Sequence, residues 1–485
     1  MDGLPLWAVN RDASDQRVFN SATIAIVAGA VRFICSILAA LVLARLLTPE
    51  DFGLVGMALP LIALVSVFSD GGVSQHILQL RQLSHASMSL TFWLGAIVSC
   101  FLFVILIAFI PFVADFYDEP RLSTICIVLA FSLLLNIFTA QHNSLAKKCF
   151  RQDLYASAEV VGSVMGLLAG IMTALNGGGY WALVVMPLVR QAFHACVIWA
   201  RTRWVPAMIK IEWYKSREVL RFGMFASMAS VIVVLGQHAD KVIIGATLGP
   251  TELGYYTMAY SLMAVPFIQI LGPVGGVMVP YFNQSIDDAD SLNAALCKSV
   301  AGLGGLIGPL MCWAAYHSEA LVGLALGEQW SPSVLVFSYL ALASIPLALY
   351  IPSTWVLAAF GRPGKHALWS GLAMIPMLFA FIIGVQWGVA GVAKCYLVAM
   401  LSLLITCPFF VARYTSMSAR AYAAVVLKIL FLSGVSVTFV MIADRMIFPN
   451  SWNVLMHLGT TLMVLIVVAA PVFLLLFGGL FRRQT

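Results

Sequence analysis

Apolar residues gather in fourteen long runs, at 21–45, 52–75, 87–112, 122–144, 154–176, 179–200, 221–248, 253–281, 294–316, 332–358, 366–385, 388–411, 420–443 and 454–480. A helix needs about 20 predominantly apolar residues to cross a bilayer, so each run predicts one spanning helix. Short polar breaks separate them. A membrane β-barrel shows brief alternating strands, a pattern these continuous runs do not have. The predicted fold class is therefore an all-α polytopic membrane protein of about 14 transmembrane helices.

One pattern recurs. The first two runs meet at Thr48-Pro49-Glu50-Asp51, and the same plan returns 201 positions later. At that offset Leu47, Pro49, Gly53, Met57, Ala58, Leu61 and Ala63 align with Leu248, Pro250, Gly254, Met258, Ala259, Leu262 and Ala264. Six runs separate the copies, so both start on the same side of the membrane. The chain reads as two parallel repeats about an axis along the membrane normal. The expected organisation is an N-terminal lobe over 1–200, a linker over 201–220, a second lobe over 221–413 and two additional spans over 414–485. The linker mixes Trp204, Trp213 and Tyr214 with basic residues, which predicts an interfacial helix on anionic headgroups.

Charge sets the orientation. With the connections assigned alternately, 19 Lys and Arg fall on the side of both termini and 3 on the other, namely Arg45, Arg121 and Arg445. The positive-inside rule then predicts cytoplasmic termini. Composition agrees: 61% of residues are hydrophobic and 10% charged, against roughly 45–50% and 25% in soluble domains. The first 20 residues hold no apolar core, so no removed leader is expected. Nine cysteines are scattered without a CxxC pair, which points to neither a disulfide framework nor a zinc site.

The remaining 5 of the 27 basic residues lie inside predicted spans. A charge at the bilayer centre costs roughly 2.5–3.5 kcal/mol on insertion scales, so such residues face a cavity or a partner. Arg32 lies near mid-bilayer, and Arg190 stands one turn from His194. Gln237, His238, Asp240 and Lys241 make a polar turn in the seventh span. Lys394 and Lys428 lie nearer helix ends, where snorkelling to headgroups is the expected behaviour. Set against Asp240 and Glu159, the five bases leave a positive pathway suited to an anionic substrate.

Helix breakers add a second layer. Pro266, Pro273 and Pro280 recur every seven residues in the eighth span, among Gly272, Gly275 and Gly276, which predicts a kinked or unwound gating helix. Gly162, Gly166 and Gly170 in the fifth span form overlapping GxxxG pairs that predict close helix packing. Enzymatic signatures are missing: the loop 361–366 lacks the first glycine and the Ser/Thr of a P-loop, and there is no HExxH or GxSxG. No metal site, cofactor or nucleic-acid partner is expected.

The stretches "LVLARLLTPEDFGLVGMALPLIALVSVFSDGGV" (Leu41 to Val73) and "ADKVIIGATLGPTELGYYTMAYSL" (Ala239 to Leu262) resemble bacterial polysaccharide-unit flippases. These form the polysaccharide-transporter branch of the multidrug/oligosaccharidyl-lipid/polysaccharide exporter superfamily, and the likeness is to the colanic-acid and succinoglycan type. The resemblance implies two six-helix lobes in a V, with spans one, two, seven and eight lining a cavity that alternates its access. It implies movement of an undecaprenyl-pyrophosphate-linked oligosaccharide across the bacterial inner membrane for exopolysaccharide or lipopolysaccharide synthesis. Membrane lipids are expected partners, as are the polymerase and the chain-length and export proteins of the same pathway. On this basis Arg32, Arg190, Lys241 and Gln237 are the expected contacts for pyrophosphate or acidic sugars. Tyr255, Tyr256, Tyr260 and Gln269 are expected at sugar rings, and Asp240 at proton or sodium coupling. The competing expectations are a drug or cation exporter of the same superfamily and a membrane-embedded polysaccharide polymerase or transferase. The basic excess argues against the first, and the lack of a substantial extramembrane loop against the second.

Overall fold

The computed structural model describes residues 15–70, 84–149, 151–208, 213–446 and 454–482. Within them the chain is helical, with no strand among the described residues. The long helices are α1 (Asp15–Leu46), α2 (Pro49–Asp70), α3 (His85–Tyr117), α4 (Arg121–Lys148), α5 (Gln152–Leu175) and α6 (Trp181–Thr202). A continuous stretch, Trp213–Gln284, follows and is broken at Gly249 into α7 (213–248) and α8 (250–284). After it come α9 (Ala289–Tyr316), α10 (Ser333–Ala359), α11 (Pro363–Gly384), α12 (Gly388–Ala412), α13 (Ala419–Met446) and α14 (Val454–Arg482). Each predicted span thus has its helix. Eleven stretches among the described residues are long and apolar enough to cross a membrane, one of which, Gly364–Ala412, holds both α11 and α12. This is a multi-pass membrane protein.

The two copies of the repeated turn break the helix at equivalent positions by different means. In the first, Thr48 stands outside the helix and caps it. Its Oγ1 accepts the Asp51 amide at 3.3 Å, and Asp51 accepts the Thr48 amide at 2.9 Å. Pro49 occupies the first helical position, where a missing N–H costs nothing. In the second copy the corresponding residue is Gly249, with φ 83° and ψ −178°. A residue before proline is steered out of the helical region, and only glycine takes this positive φ without strain. The break at Gly249 lies in the gap expected between the seventh and eighth spans, 17 residues or more before the prolines of the eighth. Pro266, Pro273 and Pro280 all lie in helical backbone. Unwinding at these prolines is not observed.

The chain forms two compact units, Met1–Gly254 and Tyr255–Thr485. In the first, both turns meet. A Cβ on Gly53 would strike the Pro250 carbonyl, and a Cβ on Gly254 would strike that of Pro49. The contact is reciprocal, as a local two-fold relation between the copies requires. Beside it, Ala39 and Leu43 of α1 and the following Leu47 pack against Ala174 of α5 and Ala182 of α6.

At the other end of α6 the chain leaves the helix at Arg203 and runs without secondary structure to residue 208. That part of the linker is not the expected interfacial helix, because specific side chains hold it on α3 and α4. Trp204 is buried, donates its indole N–H to His85 Nδ1 at 3.1 Å, and lies in a cluster with Met88, Phe92 and Leu145. Trp93 donates to the Ala207 carbonyl at 3.0 Å, and the Ala207 amide donates to Ser89 at 3.0 Å. Residues 209–212 lie outside the described residues, and helix resumes at Trp213.

In the second unit, Gly304 of α9 packs on Leu349 of α10 and Ile429 of α13, Gly308 on Ser433 and Gly305 on Phe473 of α14. The Lys428 ammonium donates to the Leu476 carbonyl at 3.3 Å instead of only reaching for headgroups.

Candidate functional site

The predicted glycine packing of α5 positions the site. Glu159, Gly162, Gly166 and Gly170 share one face of α5, and Ala182, Met186, Arg190 and His194 follow every fourth position along α6. A Cβ at Gly162 would come within 2.6 Å of the Arg190 carbonyl, and one at Gly166 within 2.8 Å of Arg190 Cβ. Small residues thus let the two backbones close up, and closure places Arg190 and His194 beside Glu159.

Glu159 is the hub. Its Oε1 lies 3.1 Å from Arg190 Nη1, and its Oε2 lies 3.2 Å from His194 Nδ1. The other ring nitrogen of His194 lies 3.0 Å from Asn143 Oδ1 of α4. Tyr155, one turn before Glu159, meets the His194 ring edge-on at 5.6 Å, and the Lys147 ammonium lies 5.1 Å above the Tyr155 ring. Arg32 of α1 acts electrostatically on both Tyr155 and Glu159. Four helices therefore bring charged or polar side chains to one place.

Exposure separates the members. The Glu159 and His194 side chains are 8% and 7% exposed, whereas that of Arg190 is 46% exposed. The carboxylate is withdrawn, and the guanidinium it anchors is presented. Arg32 is likewise exposed. One guanidinium, that of Arg190, pairs with the carboxylate at 3.1 Å, and a second, that of Arg32, acts on it electrostatically. A planar guanidinium so held offers a donor fork matched to phosphate and carboxylate oxygens. At the ends of α5 and α6, Asp153 pairs with Arg151 at 2.8 Å and with Arg201 at 3.8 Å.

The structure thus gathers Arg32 and Arg190 from the predicted residues. Gln237 and Lys241 lie on α7, the first exposed and the second half-buried. Asp240 is buried, and its Oδ1 accepts the Lys241 amide at 2.7 Å. Tyr255, Tyr256 and Tyr260 have packing partners within the second unit. Tyr255 meets Trp330 edge-on at 6.2 Å, and fully buried Tyr256 stacks on Tyr260 at 6.3 Å. The side chains of Gln269, Pro266 and Pro273 lie outside the described residues. Sequence reasoning missed Asn143 and Tyr155 and gave Glu159 no role. The available signal was the register: Glu159 precedes Gly162 by three residues and so shares the packing stripe. Among the described residues no group of three His, Cys, Asp or Glu side chains is arranged to hold a metal ion.

Comparison with known proteins adds the lineage. The sequence model of the family described as "Polysaccharide biosynthesis protein" matches residues 42–335, more than half of the chain. The teichuronic acid biosynthesis protein TuaB of Bacillus subtilis is 23% identical over 321 residues, covering 66% of each chain. The lipopolysaccharide biosynthesis protein WzxC of Escherichia coli is 23% identical over 370 residues, covering 74% of each. The succinoglycan biosynthesis transport protein ExoT of Rhizobium meliloti is 24% identical over 319 residues, covering 64% of this chain and 63% of its own. The match thus spans about two thirds of these relatives' length. Among solved structures, the lipid II flippase MurJ in an inward closed conformation superposes with a TM-score of 0.77 at 12% identity, covering 95% of this chain and all of that one. That likeness shows the fold.

Proposed function

The chain belongs to the polysaccharide biosynthesis protein family, and from that membership and the site we propose that it flips a lipid-linked oligosaccharide across a bacterial inner membrane. The observation that carries the reading is the exposed intramembrane guanidinium of Arg190 held by one withdrawn carboxylate, on which the exposed Arg32 also acts. A lipid pyrophosphate that enters the membrane needs such compensation, because charge interacts more strongly there than in water. The names of the relatives support it: they are named for the biosynthesis of teichuronic acid, lipopolysaccharide and succinoglycan, and ExoT is named a transport protein. The shared fold of a lipid II flippase agrees.

In this reading Arg190 and Arg32 hold the pyrophosphate or an acidic sugar, with Lys241 and Gln237 as further contacts. Asp240, buried on α7, is the candidate for proton or sodium coupling, since a buried carboxylate changes charge when its surroundings change. The Lys and Arg distribution supports cytoplasmic termini. The protein transports and performs no covalent chemistry; the polymerase and the chain-length and export proteins of the same pathway act on what it delivers.

Deletion of the gene tests this in the cell. The expected result is accumulation of lipid-linked repeat units on the cytoplasmic leaflet, with the glycan identified by mass spectrometry. Accumulation on the outer leaflet would assign the protein to polymerisation instead.

A further inference from the structure

The hub of the cluster carries more ionisable groups than an anion contact needs. Glu159 is held between a guanidinium and an imidazole, and the imidazole is held in turn by an amide. This circuit keeps its hydrogen bonds in two protonation states. With His194 protonated, Nδ1 donates to Glu159 and Nε2 donates to Asn143 Oδ1. With His194 neutral, Nδ1–H still donates to Glu159, and a half-turn of the Asn143 amide lets its N–H₂ donate to Nε2. No buried group is orphaned either way, so a proton enters or leaves without the cost of an unmade hydrogen bond. A purely structural brace has no need of that property.

The surroundings tie this proton to the anion. Glu159 partly neutralises Arg190, the exposed member. An incoming phosphate makes Arg190 bridge two anions, and the nearest relief is a proton on the carboxylate or the imidazole. The other charged and titratable groups facing the pair are Arg32 from α1, Lys147 from α4 and Tyr155 from α5 itself.

We propose that Glu159 and His194 form a proton-binding site linked to anion binding at Arg190, so that the anion loads together with a proton. This rests on the reading of Arg190 as an anion contact and is separate from the role given to Asp240. The sign follows directly. Anion binding favours the protonated pair, so affinity rises as pH falls, by up to about tenfold per pH unit for one linked proton.

Farnesyl pyrophosphate binding to the purified full-length protein tests it, by calorimetry at pH 7 in two buffers of different ionisation enthalpy. The wild type is expected to take up about one proton more per probe bound than Glu159→Gln/His194→Gln. Titration of the probe itself is common to both and cancels. The double variant is also expected to bind more tightly than wild type at high pH, with the linked pH dependence gone. Glu159→Asp, which keeps the carboxylate, retains the uptake and shows that the hub survives a conservative change. Equal proton uptake in wild type and the double variant would overturn the proposal, and with Arg190→Gln still weakening binding it would leave the anion site standing. Unchanged affinity in Arg190→Gln combined with Arg32→Gln would instead remove the anion reading beneath it.

Discussion

Arg190 shows how one side chain is made useful inside a bilayer. Its charge is tolerated because Glu159 anchors it, and it is available because the anchor is buried while the guanidinium is 46% exposed. Replacing it by glutamine removes a charge-assisted interaction worth about 1.5–3 kcal/mol, so affinity for an isoprenyl pyrophosphate should fall roughly 10- to 100-fold. Equilibrium binding to the purified variant checks this. At this scale the sequence was a good guide to basic residues and a poor one to their partners. Arg32 and Arg190 stand out because an intramembrane charge is expensive. The hub role of Glu159 did not stand out, because it exists only once the glycines of α5 let α6 close on it. Aromatic residues were less legible still. Tyr256 lies in a motif that invites a sugar, yet its ring is fully buried on Tyr260.

Helices and turns were the most legible level, because continuous apolar runs leave the backbone no other way to satisfy its polar groups in lipid. All fourteen predicted spans correspond to helices. The repeat was also visible, but not its consequence, that Gly53 packs on Pro250 and Gly254 on Pro49. Gly53→Ala should force the turns apart, and hydrogen exchange should rise at both 48–54 and 249–255. Gly29→Ala, where a Cβ meets nothing within 4 Å, should leave both turns protected. The end of α6 carries a different dependence. Trp204 pins residues 203–208 to α3 and α4 through packing and its bond to His85. Its replacement by alanine should cost about 3–5 kcal/mol, measurable as lowered thermal stability in detergent. That anchor was hidden in the sequence because aromatic and basic residues in a linker look the same whether they face headgroups or a neighbouring helix. Unwinding within the eighth span was expected and is not seen in Trp213–Gln284. The positive φ of Gly249 before Pro250 makes the expected turn, whereas the three prolines beyond it lie in helical backbone.

For the whole molecule, a multi-pass helical fold and membership of a polysaccharide biosynthesis family support the proposed transport of a lipid-linked glycan. The charge pattern gives that transport its sign, since the exposed groups at the gathered site are basic. The most direct measurement is reconstitution of the purified chain into liposomes with an undecaprenyl-pyrophosphate-linked oligosaccharide loaded in the inner leaflet, followed by exposure to a membrane-impermeant glycosidase. The account predicts that the glycan becomes accessible with wild-type protein and stays protected with Arg32→Glu/Arg190→Glu reconstituted at the same level. A glycan that stays protected with folded wild-type protein under every ion gradient, or that becomes equally accessible with the charge-reversed variant, would contradict it.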